Sequence, residues 1–378
     1  MVLALLLALQ TDWPRWRGAD GSGVSPEALK AEALARPKLL FRAQLGEGLS
    51  SVSIVAGKLY TLGNQGGQDV VSCLDAKTGK PVWRFPYKCP AGNFNGPRAT
   101  PTVHGGLVYT LSRNGQAFAL DAVTGEPKWQ ADLAKLYGAK TGDYGITGSP
   151  LVLGDALVFN ACAKGVALNR TSGEKLWASA AGTSGFASPV AVDGSVALFT
   201  ASSLSILDPA TGRELSAFAW QTSFDANAAD PVLFDGKLFI TSGWDKGCAL
   251  LKLENQRLSS LWQNTEIRSQ IASPVHLDGR LFGIDDNTPN GQLKCLDAKT
   301  GKPLWSRKGG FGNLLAAGGK LLSIDRTGLL VVVDADGKDV AKAQVLGRAA
   351  KNWTAPVLCD GLLYCRDGEG LLVCLDLR

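Results

Sequence analysis

Ser273-Pro274-Val275-His276-Leu277-Asp278-Gly279-Arg280-Leu281-Phe282, followed by Cys295-Leu296-Asp297-Ala298-Lys299-Thr300-Gly301-Lys302-Pro303-Leu304-Trp305, decides how this chain is read. Two apolar runs flank Asp278-Gly279 and form a hairpin, because a tight turn needs residues that tolerate positive φ. A third run ends in Asp297-Ala298-Lys299-Thr300-Gly301, and a fourth carries Trp305. The stretch therefore holds four short strands: Ala272 to Leu277, Arg280 to Ile284, Leu293 to Leu296 and Pro303 to Ser306. Thr100-Pro101 through Ala119-Leu120-Asp121 to Trp129 repeats the same order, so one supersecondary unit recurs along the chain.

Aligned on the proline, the copies begin at Val52, Pro101, Pro150, Pro189, Pro231, Pro274, Leu314 and Pro356, spaced by 49, 49, 39, 42, 43, 40 and 42 residues. A period near forty with four strands per copy is that of a β-propeller blade. The first turn recurs at Gly57, Gly106, Gly194, Gly236, Gly279, Gly319 and Gly361, with Asp155 as the exception. Asp75, Asp121, Asp208, Asp297 and Asp334 share one slot in the second turn, where a carboxylate accepts hydrogen bonds from the turn's own amides. They read as structural groups. Trp83, Trp129, Trp177, Trp262 and Trp305 also recur once per copy, and read as structural rings packed between blades, each indole N–H on a backbone carbonyl. Ser216 and Ala341 replace the ring in two copies, which are expected to dock least firmly.

The eighth copy stops at Arg378 after its third strand, while the unmatched run Lys38 to Ala43 precedes the first copy. Pairing the two would leave no open edge. The expected fold is all-β: an eight-bladed β-propeller of four-stranded antiparallel blades, closed by an N-terminal strand that completes the C-terminal blade. Residues 1–11, with the apolar run Val2 to Leu9, read as a signal segment; 12–37 form an N-terminal extension and 38–378 the propeller. Export implies a periplasmic or secreted protein.

The repeated Leu-Asp-Ala-x-Thr-Gly-x-x-x-Trp, as in Leu74 to Trp83 and Leu296 to Trp305, resembles the tryptophan-docking repeat of pyrroloquinoline-quinone-like propellers. The resemblance covers about residues 38 to 378. That superfamily includes quinoprotein alcohol dehydrogenases and the propeller lipoprotein of outer-membrane β-barrel assembly. The opening Trp13-Pro14-Arg15-Trp16-Arg17-Gly18 resembles the start of many exported bacterial members. The catalytic members carry an adjacent cysteine pair over the quinone, and this chain has no two adjacent cysteines. Its first cysteine is Cys73, so the lipid-anchoring cysteine of the assembly lipoproteins has no counterpart after the apolar run.

Charged residues are 19% and hydrophobic ones 45%, which suits one large β domain. The formal charge of +5 is spread along the whole length, so nucleic acid is excluded as a partner. Cys73, Cys295 and Cys374 occupy a strand position filled elsewhere by Ala119, Ile206 and Val332, and read as buried hydrophobes. Cys89 with Cys162 or Cys248 is the pairing left open. His104 and His276 read as partnered, partly buried side chains, and Asp286 to Gly291 as ordinary turn residues rather than a calcium loop.

The connections at one end of the blades are short and alike, whereas those at the other vary, up to the stretch Ala131 to Gly148. Variable loops on a rigid scaffold are where binding concentrates. On that face the channel mouth is expected to be ringed by Leu49, Arg98, Thr147, Phe186, Ala228, Ile271, Phe311 and Trp353. Arg98, Phe186, Trp244, Asp245, Phe311 and Trp353 are the candidate partner or ligand contacts, since aromatic residues and arginine anchor interfaces. No catalytic or metal-binding residue is assigned. The leading reading is an exported, monomeric, non-catalytic scaffold binding a protein or peptide, with any membrane association made through that partner. A pyrroloquinoline-quinone-dependent oxidoreductase with calcium, and a carbohydrate- or small-ligand-binding propeller, are the alternatives.

Overall fold

A computed structural model describes residues 12–90, 92–94, 96–141, 144–286, 291–309, 312–348 and 352–378. The strands form eight sheets, each with four antiparallel strands, in sequence order in seven of them, and one of the seven gains a fifth strand from the extension. In the sixth blade they are Val275–Leu277, Arg280–Asp285, Gln292–Asp297 and Pro303–Lys308, running from the channel outward. Neighbouring blades cover both faces of the inner strands, so Gln116–Asp121 and Ser203–Leu207 are buried almost end to end. The outermost strands alternate between half-buried and exposed residues, as Pro81–Lys88 does.

The ring closes as the sequence predicts. Lys38–Gln44 pairs antiparallel with Leu371–Asp376, placing Phe41 opposite Cys374 and Lys38 opposite Asp376. The first and last segments thus share one sheet, ordered from Lys38–Gln44 inward to Val357–Cys359.

The first turn takes positive φ at both central residues in seven blades, for example +47° at Asp278 and +74° at Gly279. The second turn is held as its Asp requires: Asp297 accepts the amide and hydroxyl of Thr300, each at 2.7 Å. Each indole donates to a carbonyl in the next blade's turn: Trp83 to Ala122, Trp129 to Arg170, Trp177 to Pro209, Trp262 to Ala298 and Trp305 to Ala335, at 2.8 to 3.1 Å. The ring lies over that turn's glycine. A Cβ on Gly212 would sit 2.5 Å from the Trp177 ring, so this position needs glycine for contact as well as for its φ of +71°.

The two copies without Trp have replacements. Ser216 accepts the amide of Leu258 at 3.0 Å, because the long hairpin Gly247–Glu254 and Arg257–Asn264 leans back over the preceding blade. Beside Ala341 the short helix Ala31–Ala35 packs on the outer strand Asp339–Gln344, burying Leu34 in the same core. In the closing blade Phe41 takes the ring's place, against Gly79.

All eight cysteines are buried and none is in a disulfide. Cys89 and Cys162 contact Asn114 and the Tyr137 carbonyl, each at 3.4 Å, and Cys248 donates to Asn264 at 3.0 Å, so the pairing left open by the sequence does not form. His104 is exposed rather than partly buried; His276 is half-buried and stacks on Phe234 at 3.8 Å. Among the described residues no helix is long and apolar enough to cross a membrane.

Candidate functional site

The residue before each aligned proline builds the channel wall. The Ser51 amide donates to the Thr100 hydroxyl, Thr100 to Ser149, Ser149 to Ser188, Ser188 to the Asp230 carboxylate, Asp230 to Ser273 and Ser273 to the Asn313 amide oxygen, at 2.6 to 3.1 Å. Ala355 breaks the series, and the Ser51 hydroxyl closes it by donating to the Ala355 carbonyl at 3.0 Å. Blade is thus tied to blade around the channel by side chains that also satisfy backbone N–H groups.

The extension stops the lower part of the channel. Trp13 bridges Ile54, the Pro14 carbonyl accepts the Val103 amide at 2.8 Å, and Val24–Ser25 adds a parallel strand to Leu314–Ala317. Arg17 is buried and donates to the carbonyls of Ser22, Ser273 and Pro274. Burial draws its guanidinium down to about 10, against the pull of Asp230. Trp16 points up the channel and donates its indole N–H to Asp230. Asp230 is therefore the one carboxylate in the series of channel hydrogen bonds because Trp16, Arg15 and Arg17 lie beneath it; burial raises its carboxyl while the two arginines oppose the rise.

Above this floor lies a recess of about 280 Å³ on the variable-loop face. Of the expected mouth ring, Leu49, Arg98, Thr147, Phe186, Ala228, Ile271 and Trp353 line it; Phe311 falls outside the described residues. Phe94 and Tyr144 add to one wall, with ring centroids 5.2 Å apart, and Tyr144 meets Phe186 edge-on at 5.6 Å. Arg98 folds its own loop, donating to the carbonyls of Gly96 and Phe94 at 2.9 Å each. Burial and the nearby Arg113 bring its guanidinium down to about 10.

Trp244 lines the opposite wall from a turn with φ of +52° at Trp244 and +59° at Asp245, closed by the Lys246 amide on the Gly243 carbonyl. A bulky residue there costs about 1–2 kcal/mol, where Asn-Gly would cost little. The turn sets Trp244 5.7 Å from Phe224, which is 66% exposed and so adds an open aromatic surface at the rim. Asp245 does not line the recess. It pairs with Arg268, which also grips buried Asp285 through two bonds of 3.0 and 3.1 Å, with Lys294 on Asp285 at 2.9 Å. Two further carboxylates of this face are likewise committed: Asp225 accepts from Gln221, and Asp286 from the Gln270 amide. Among the described residues no three His, Cys, Asp or Glu side chains gather as metal ligands.

Sequence reasoning missed Trp16, Phe94 and Tyr144, and did not tie Asp230 into the channel wall. The signals were a second Trp in the opening motif and a hydrogen-bonding residue before nearly every aligned proline, from Ser51 to Asn313.

A family model described as outer membrane protein assembly factor BamB matches residues 19–197, 67–307 and 289–378. The outer membrane protein assembly factor BamB of Yersinia pestis is 27% identical over 302 residues, covering 72% of each chain. That of Moranella endobia is 27% identical over 293 residues, covering 72% of this chain and 73% of the relative. Among solved structures, BamB from Moraxella catarrhalis aligns with a TM-score of 0.71 at 18% identity, over 91% of this chain and 98% of that one. The quinohemoprotein alcohol dehydrogenase of Comamonas testosteroni aligns with a TM-score of 0.74 at 15% identity, over 97% and 80%. At such identities these two likenesses speak to the fold alone.

Proposed function

This chain belongs to the outer membrane protein assembly factor BamB family, whose model spans it from residue 19 to residue 378, and from that premise we propose that it is a non-catalytic scaffold holding a protein or peptide partner at the mouth of its channel. The observation that carries the reading is the aromatic recess above Trp16, formed on the variable-loop face by rings from several blades. Such surfaces bind chains through buried aromatic anchors. Reaction chemistry has little support there, because Asp230 is engaged by Trp16 and Ser188, and Arg98 by two carbonyls. A metal-bound quinone does not fit these residues: it needs a set of oxygen ligands and an open cavity, and Trp16 and Arg17 occupy the channel below. The family's description favours a place in the cell envelope, periplasmic or secreted; to this we add, as part of the same proposal, residues 1–11 as the export signal, a monomeric protein, and membrane contact made only through its partner.

A photo-crosslinking residue at Tyr144, on the mouth, tests this against one at Thr211, on the opposite face. Adducts with an outer-membrane assembly component are expected from Tyr144 alone, and should drop at least tenfold in a Phe186→Ala, Trp244→Ala, Trp353→Ala variant that melts like the parent. Equal adducts from both faces, or an unaffected triple variant, would overturn the mouth as the binding site. Stoichiometric uptake of pyrroloquinoline quinone with calcium-dependent alcohol oxidation would overturn the non-catalytic reading.

A further inference from the structure

Among the described residues two charged side chains line the recess, and their surroundings differ. Asp230 is compensated: one oxygen accepts from Trp16, the other from the Ser188 amide, and Arg17 lies below. Arg98 is not. Its guanidinium has five N–H donors, and among the described residues its bonds go to the neutral carbonyls of Gly96 and Phe94. Among the described residues no carboxylate lies within ion-pair distance of it. A partly desolvated cation with donors to spare favours an anionic ligand and repels a basic one.

The walls beside Arg98 are aromatic. Phe94, Tyr144 and Phe186 meet in series at 5.2 and 5.6 Å, and Tyr144 is 47% exposed, leaving ring surface on which another ring can pack. About 280 Å³ is room for an aromatic side chain with a small group beside it. Trp16 closes the floor, so a chain cannot thread the channel; it must lie across the mouth and insert one residue.

Resting on the reading that the mouth binds a peptide segment, we infer that the recess selects an aromatic residue flanked by an acidic one, the ring entering toward Trp16 and the carboxylate resting on Arg98. The anchor is aromatic and the specificity is charge.

Four capped hexapeptides test it, alike except for a central Glu-Phe, Gln-Phe, Glu-Ala or Lys-Phe, with binding read by tryptophan fluorescence and calorimetry on the full chain. Glu-Phe should bind about tenfold more tightly than Gln-Phe, as for a charge-assisted hydrogen bond; Lys-Phe should bind more weakly still, and Glu-Ala not measurably. In R98Q the Glu-to-Gln ratio should fall to about one, whatever the change in overall affinity. If R98Q does not fold, a salt titration of the parent replaces it: the ratio should shrink as salt rises while Gln-Phe binding holds. Equal affinity for Glu-Phe and Gln-Phe in the parent, or a ratio unchanged in R98Q or by salt, overturns the inference. Persisting mouth crosslinks would then leave the scaffold reading standing, whereas loss of those crosslinks counts against the scaffold whatever the peptides do.

Discussion

Trp177 illustrates what one side chain does here. Its ring lies over Gly212 and its N–H reaches the Pro209 carbonyl at 2.8 Å, so it joins two blades by burial and by a bond. Trp177→Phe keeps the ring and loses the bond, and should cost about 1 kcal/mol in urea unfolding. Trp177→Ala removes both and should cost about 3–5 kcal/mol. A Phe variant as unstable as the Ala variant would assign the role to hydrogen bonding rather than packing. Asp286 supplies a pH test. Burial pushes its half-buried carboxyl up to about 7, against the lowering effect of the Gln270 amide that donates to it at 2.8 Å. The folded state therefore holds the proton more tightly than the unfolded chain. Stability is fully present below the ordinary carboxylate value of about 4 and is lost as pH rises through about 7. Asp286→Asn should match the parent at pH 4 and exceed its stability at pH 8, and an unchanged pH profile in the variant would place the titration elsewhere.

Lys38–Gln44 is the element on which closure depends, because without it Leu371–Asp376 is left as an open edge. Removing residues 1–46 should lower the melting temperature and promote aggregation, and removing 1–11 should do neither. Removing 1–25 separates the extension from the closing strand: it takes away Trp16, Arg17 and the added strand Val24–Ser25 but leaves Lys38–Gln44. That variant should stay monomeric with an intermediate melting temperature, and aggregation like that of the longer truncation would mean the extension, not the strand, protects the ring. This register was legible because an eighth copy lacking one strand and a spare strand at the start complete each other. The weak docking expected at Ser216 and Ala341 was not, because the contacts that replace the ring come from a hairpin of the next blade and from a helix far away in sequence. A substitution in one repeat says nothing about what a different segment lays over it.

At the scale of the whole molecule, the repeat makes a ring and the ring makes a channel, and the channel mouth is the place where eight different loops converge. The sequence by itself determined the blade count, the order of strands, the turn positions with their Asp and Gly residues, and the strand that closes the ring, because each follows from local patterning repeated at a fixed period. It also brought Arg98, Phe186 and Trp353 to the mouth, since a repeat position translates directly into a height along the channel. Only the tertiary structure decided that Asp245 turns away to Arg268, that Phe94 and Tyr144 join the wall, and that Trp16 is the floor bound to Asp230. Those contacts join residues up to 214 positions apart through irregular loops and an extension outside the repeat. Periodicity governs what a residue does within its blade, while the recess depends on which loops the closed ring brings together, and that is set by three-dimensional closure rather than by any local pattern.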